Sequence, residues 1–295
     1  MKKTIGNLSG RAILVTGCSS GIGACIAQGL GQRGYRVIAT CRNRSDALEW
    51  QEKGFEAFDL DLSNERSVSN AISRVRDLTE DRLYGLINNG AYGQPGAMID
   101  LSREAIREQF ETNVFGTQQL TNGIVPLMLN RNEGRVIQIS SILGLICLRF
   151  RGAYNASKYA LEAMTDTMRL EHRNSGVHFC LIEPGPIRSY FRQNALAKYR
   201  QHVDAESSRF RSSYQEVEQR LLQSGEARFT LPPEAVLDAV SHALEARHPK
   251  IRYPVTVPTR VMAVLKRLFP DRVMDAFLHW NSDRSAAADQ VKVNN

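Results

Sequence analysis

An apolar run, Ala12-Ile13-Leu14-Val15, leads directly into Thr16-Gly17-Cys18-Ser19-Ser20-Gly21-Ile22-Gly23, and an amphipathic stretch follows to about Arg33. This order, buried strand, glycine-rich turn, helix, restricts the fold more than any other feature of the chain. Glycine admits positive φ and lets a neighbouring backbone or a ligand come close. A helix that starts at such a turn directs free amides at it, and these suit the pyrophosphate of a dinucleotide. A tight turn with glycine used for packing alone is the simpler alternative.

The same alternation continues. Strands are predicted at Tyr35–Thr40, Phe55–Asp59, Tyr84–Asn88, Arg135–Ser140 and Val177–Glu183. Helices are predicted at Asp46–Lys53, from Asn64 as cap to Thr79, from Ser102 as cap to Asn130, and from Tyr154 to Asn174. Alternation of this kind predicts an α/β fold, a Rossmann-type doubly wound parallel sheet of about seven strands with helices on both faces. Past Pro184 the pattern changes. A polar, helix-prone segment at about 188–230 reads as a lid, Pro232-Pro233 opens a helix to Arg247, and Lys250–Val257 reads as an edge strand. We therefore expect one catalytic domain over 1–258, an amphipathic helical extension over 259–281 that Pro270 divides, and a disordered tail over 282–295.

Composition narrows the class. The net charge of +7 is scattered rather than gathered in a run, which argues against nucleic acid as a partner. Five cysteines (Cys18, Cys25, Cys41, Cys147, Cys180) form no CxxC, and no histidine spacing suits zinc, so no metal is expected. Reduced thiols, with neither a signal peptide nor a membrane span in the sequence, predict a cytoplasmic protein.

At the end of the second strand, about 20 residues past the glycine turn, a carboxylate would hold the ribose hydroxyls of NAD. Arg42 stands there instead, and a guanidinium suits the 2′-phosphate of NADP. A solvated surface arginine is the competing reading. Asp59 and Asp61 close the third strand; they suit helix capping or the adenine amino group, and lack a third ligand for a metal.

Tyr154 and Lys158 are four residues apart on one helix face, and Ser141 lies thirteen residues before Tyr154. A phenol titrates near ~10, and a neighbouring cation lowers that value. Such a pair makes a general acid or base for carbonyl and alcohol chemistry. Ser140 is an alternative to Ser141, although adjacent strand residues point to opposite sides.

Together these motifs resemble the short-chain dehydrogenase/reductase family over about 10–258, most closely its bacterial NADP-dependent aldehyde reductases, with hydroxysteroid and retinol dehydrogenases as relatives. The resemblance rests on Thr16–Gly23, Asp61-Leu62, Asn88-Asn89-Gly90-Ala91, Asn113, Ser141, Tyr154, Lys158 and Pro184-Gly185-Pro186-Ile187. It implies a catalytic tetrad of Asn113, Ser141, Tyr154 and Lys158. It also implies an NADP(H) site of Gly17, Ser19, Ser20, Gly21, Ile22, Gly23, Arg42, Asp61, Leu62, Asn89, Tyr154, Lys158, Pro184, Gly185, Ile187 and Ser189. Asn113 is expected to position a water that links Lys158 to solvent. Two departures stand out: Gly90-Ala91 reverses the family's Ala-Gly, and Ser189 replaces a threonine.

The implied activity is NADPH-dependent reduction of an aldehyde or ketone to an alcohol, with Tyr154 as acid. A redox sensor without turnover, or a hydroxysteroid or retinol dehydrogenase working oxidatively, are the alternatives. Tyr92, Ser141, Leu143, Leu145, Phe150 and Pro186 are expected to line a pocket for a small hydrophobic substrate. A homodimer or homotetramer through the helices at 102–130 and 154–174 is expected from the resemblance. Val261, Met262, Leu265 and Phe269, with Arg260, Lys266 and Arg267, are expected to form a weak membrane-contacting face.

Overall fold

The computed structural model describes residues 10–222 and 228–279. Seven parallel strands form one sheet in the order β3-β2-β1-β4-β5-β6-β7. They are β1 (Ala12–Val15), β2 (Arg36–Cys41), β3 (Glu56–Asp59), β4 (Gly85–Asn88), β5 (Gly134–Ile139), β6 (Val177–Glu183) and β7 (Arg252–Pro254). This is the predicted doubly wound α/β architecture. The strand order reverses between β1 and β4, the place where ligands bind at the carboxyl ends in open sheets of this kind.

Side-chain alternation along the strands feeds two separate cores. Ile13 and Val15 face the layer of α1 (Gly21–Gln32), α2 (Arg44–Glu52) and α9 (Glu234–Glu245). Ala12 and Leu14 face α3 (Glu65–Thr79), α5 (Thr117–Asn130) and α6 (Gly152–Glu171). Because both faces are covered, β1 is apolar throughout rather than alternating, as parallel sheets require. Asn64 caps α3 by accepting from the Ser67 amide at 2.9 Å. β7 lies at the sheet edge, where its Pro254 is tolerated.

Two sequence expectations change. The helix predicted from Ser102 to Asn130 is not uniform. α4 (Arg103–Phe110) passes through a π-helical segment, Glu111–Gly116, into α5. Widened turns of this type gather at functional sites, and this one carries Asn113. The second change concerns the C-terminal extension. The expected boundary at 258 falls inside α10 (Val257–Leu268), which Thr256 caps. Met262, with Met274 from the helical stretch 271–279, is buried against Leu143, Ile146 and Tyr154, and Leu265 packs on the same cluster. Met262 thus belongs to the protein interior, and Leu265 is half-buried on the same side. Val257, Val261, Val264 and Leu268 occupy the outer face. The segment expected to be a lid contains two helices, α7 (Phe191–His202) and α8 (Arg211–Leu222), packed through Tyr199, Tyr214 and Leu221. The tail over 282–295 lies outside the described residues. No helix among the described residues is long and apolar enough to cross a membrane.

Candidate active site

The glycine turn is held by close backbone contacts. Gly17 and Gly21 have φ of +70° and +57°, a region that favours glycine. A Cβ on Gly23 would lie 2.1 Å from the Gly17 carbonyl oxygen, and one on Gly17 would lie 2.8 Å from Gly90 Cα. The first departure from the family pattern acquires a physical reason here. A Cβ at position 90 would meet Leu62 Cδ1 at 2.9 Å and Thr16 Oγ1 at 3.3 Å, so the exchange places glycine at a crowded crossing. Thr16 Oγ1 accepts from the amides of Asn89 and Gly90, each at 2.9 Å, and Asn89 Nδ2 donates to the carbonyls of Thr16 and Gly17. Asn89 therefore fastens the β4 loop to the glycine turn.

These residues fit a dinucleotide. Ser20, the cap of α1, makes no side-chain hydrogen bond to the helix, and the first turn holds no acidic side chain that would repel an anion. Ser19 and Arg42 are exposed, and Arg42 forms no ion pair with a described residue. Ile22 packs on the core. Asp61 Oδ1 accepts from the amide and hydroxyl of Ser63, which makes it a turn former, and Leu62 is buried beside Gly90. The loop after β6 closes the other side. Pro184 accepts from the Ile142 amide at 2.8 Å, Ile187 pairs with Leu231, and Ser189 Cβ lies where a Cβ on Gly21 would be 3.1 Å away. At Gly185 a Cβ would collide with Thr256 Oγ1 at 2.2 Å, so the start of α10 abuts the same loop.

The four residues of the expected tetrad converge. Ser140 and Ser141 point apart: Ser140 lies with Glu162 beside Gly144, and Ser141 neighbours the Tyr154 phenol and favours its charged form. Ser141 Oγ also accepts from the Leu143 amide at 3.1 Å, which fixes its position. Lys158 is buried and donates to the Ile139 carbonyl at 2.8 Å, with Nζ 5.8 Å from the centre of the Tyr154 ring. Asn113 donates to Ser157 Oγ at 3.1 Å and to the Tyr92 carbonyl at 3.0 Å, and its Oδ1 accepts from the Tyr92 amide. Its side chain ties the β4 loop to α6.

The expected electrostatics need correction. Burial pushes the Tyr154 phenol up to about 12, against smaller downward effects of Ser141 and of the Arg151 charge. The depressed phenol anticipated from Lys158 is absent because desolvation of the phenolate outweighs its neighbours. Burial also pushes Lys158 down to about 8, with the Glu162 carboxylate opposing. The site thus holds a protonated phenol beside an ammonium poised to lose its proton near neutrality.

The expected pocket residues divide between two clusters. Leu143 and Leu145 join Tyr154, Phe191, Met262 and Met274, and the Tyr154 and Phe191 rings lie 5.2 Å apart. Phe150 instead packs into the lid, 5.5 Å from Tyr214 and 5.8 Å from Phe210, so it is not part of the wall beside the phenol. The Tyr92 hydroxyl is buried without a hydrogen-bond partner, and Pro186 accepts from the Leu231 amide.

The residues from Arg11 to Arg200 match the family model for short chain dehydrogenases. The chain is a short-chain dehydrogenase. Membership makes it an oxidoreductase that works with a nicotinamide dinucleotide. This dehydrogenase is 44% identical over 273 residues to the uncharacterized oxidoreductase YbbO of Escherichia coli, covering 92% of this chain and 96% of that protein. It is 30% identical over 302 residues to 17-beta-hydroxysteroid dehydrogenase type 6 of Rattus norvegicus, with 97% and 93% covered. It is also 30% identical over 277 residues to the NADPH-dependent 3-dehydrocapnine reductase of Ornithobacterium rhinotracheale, with 91% and 96% covered.

Sequence reasoning missed a buried ionic layer behind Lys158. Arg252 of β7 lies 2.6 Å from Asp166, 3.1 Å from Glu162 and 3.1 Å from Glu183. Glu162 and Glu183 are buried, and burial with the Glu162 charge pushes Glu183 up to about 7. Only Glu162 carried a sequence signal, standing four residues past Lys158 on the same face. The partners on β6 and β7 are distant in sequence.

Proposed function

We propose that this dehydrogenase reduces an aldehyde or ketone with NADPH, with Tyr154 delivering the proton. The observation that carries the reading is the Tyr154 phenol, buried beside Ser141 and pushed by that burial well above neutral pH. A group that stays protonated at neutral pH is a donor, and negative charge grows on a carbonyl oxygen as it is reduced. NADPH, when bound, supplies the hydride. Ser141 hydrogen-bonds the carbonyl oxygen and orients the substrate beside the phenol. Lys158, held by the Ile139 carbonyl, keeps a positive charge near the phenol as its proton departs. Asn113 holds the floor of the site by joining the Tyr92 loop to α6. The apolar wall of Leu143, Met262 and Met274 favours a substrate with a hydrocarbon portion.

The Lys158 value sets a pH dependence. Its value in the folded protein, about 8, lies below the ordinary lysine value of 10.5. The ammonium is therefore present below about 8 and lost as pH rises through it, while the phenol stays protonated over the same range. Reduction at saturating NADPH should be flat below neutrality and fall above about 8. A rate that climbs between pH 8 and ~9.5 would contradict a role for the Lys158 charge in carbonyl reduction.

The preference for NADPH rests on Arg42, exposed at the end of β2 with no acidic residue in its place. Replacing a cation that holds a 2′-phosphate removes a charge-assisted contact worth about 1.5–3 kcal/mol, roughly ten- to a hundredfold. Arg42→Asp should lower kcat/KM for NADPH by that order and raise the ratio for NADH over NADPH. An unchanged ratio removes Arg42 from cofactor selection.

A further inference from the structure

We propose that the substrate carries an anionic group, a carboxylate or a similar oxyanion, and that Arg151 receives it beside the Tyr154 phenol. This rests on the carbonyl-reductase reading and specifies the substrate class of the same site. Arg151 caps α6 three residues before Tyr154, so the two side chains leave the same helix face. The residues around it fix its place. Phe150, just before it, packs on Phe210 and Tyr214 of the lid, and Tyr154 packs on Phe191 at the start of α7. Arg151 thus stands between the lid and the reacting phenol.

Its half-buried guanidinium is paired unlike the other cations that reach inward. Arg135 donates to three carbonyls, those of Gly134, Ala243 and Ala246. Arg252 meets three carboxylates, and Lys158 has the Ile139 carbonyl. Arg151 Nη1, by contrast, is buried with no hydrogen-bond partner, and no described carboxylate lies within ion-pair distance of this arginine. A buried guanidinium nitrogen without an acceptor is costly to hold. The charges nearest it add to that cost. Burial, with Arg192 of α7 and Arg220 of α8, pushes Arg151 below the usual arginine range. Arg151 is thus a half-buried cation with a bare nitrogen and two further arginines in its surroundings.

An anion seated there answers the unpaired nitrogen of Arg151. A guanidinium fork matches a carboxylate in two parallel hydrogen bonds, which orients the molecule as well as attracting it. The ligand class is an oxo acid: the carbonyl at Tyr154 and Ser141, the carboxylate at Arg151, and the intervening chain against Leu143 and Met262.

The test compares matched pairs, hexanal against adipate semialdehyde and butanal against succinate semialdehyde, in NADPH-dependent reduction by the full chain and by Arg151→Gln and Arg151→Lys. Hexanoate binding is followed alongside by thermal shift, with hexanol as the neutral control. The full chain should favour the oxo acid of each pair by roughly ten- to a hundredfold in kcat/KM. Arg151→Gln should bring that ratio toward one, Arg151→Lys should keep part of it, and hexanoate but not hexanol should stabilise the unsubstituted protein. Equal rates for both members of each pair, or hexanoate binding that survives Arg151→Gln, overturn the proposal. If Arg151→Gln does not fold, the pairwise ratio and hexanoate binding in the unsubstituted protein still decide it. Arg151-dependent hexanoate binding without reduction of any carbonyl would overturn the reductase reading and leave the anion site standing.

Discussion

Tyr154→Phe should lower carbonyl reduction by about 10²–10⁴-fold, the range expected for loss of a positioned general acid. The substitution keeps the ring, and the ring is what packs against Phe191 and the Leu143–Met262 cluster. The fold and NADPH binding should survive, with a stability loss near the ~1 kcal/mol of one net hydrogen bond. Ser141 keeps the Leu143 amide as a partner, so its hydroxyl remains in place when the phenol is gone. The loss should therefore appear in kcat far more than in the affinity for NADPH, which titration of protein fluorescence reads independently. A variant that retains most of its kcat would show that the phenol does not supply the proton.

Gly23→Ala should be the most damaging single methyl among the three glycines of the turn, Gly17, Gly21 and Gly23. A Cβ there would lie 2.1 Å from the Gly17 carbonyl oxygen and 2.6 Å from Asn89 Nδ2. Neither neighbour can yield easily. Gly17 holds φ of +70° with its own Cβ position blocked by Gly90, and Asn89 is tied to the carbonyls of both Thr16 and Gly17. Overpacking against a side chain costs about 1–3 kcal/mol, and more where, as here, the obstacle is backbone. The expected result is a fall in midpoint temperature of several degrees and NADPH affinity weakened by at least about tenfold. A Gly23→Ala protein with unchanged melting and unchanged NADPH binding would mean that the turn is not as tightly closed as described.

The parts of this molecule that were legible in the sequence are those written in local order. The strand–glycine–helix start, the alternation through β6 and the Tyr154–Lys158 face all follow from periodicity over a few residues. The separation of Ser140 from Ser141 follows from the two-residue period of a strand. What escaped was decided by contacts between distant segments. The crowding that requires glycine at position 90 comes from Leu62 and Thr16. The inward turn of Met262 and Leu265 depends on Tyr154, more than a hundred residues earlier. The α10 pattern is apolar on more than one side, so periodicity alone did not say which apolar residues face the site. The phenol also defied a local argument. A lysine at i+4 suggests a lowered value, but the depth of burial, which no spacing reveals, reverses the sign. Arg151 was invisible for the same reason, since an arginine matters here through the partner it lacks.

The central claim is that hydride passes to a carbonyl carbon while Tyr154 protonates the oxygen. Its most direct test is reduction of the aldehyde and oxo-acid panel with NADPH deuterated at the transferable position of the nicotinamide ring, followed by mass and NMR analysis of the alcohols. Deuterium is expected on the carbinol carbon with the unsubstituted protein, and little or no labelled alcohol with Tyr154→Phe. Unlabelled alcohol, or no reduction of any carbonyl in the panel by the unsubstituted protein, would contradict it.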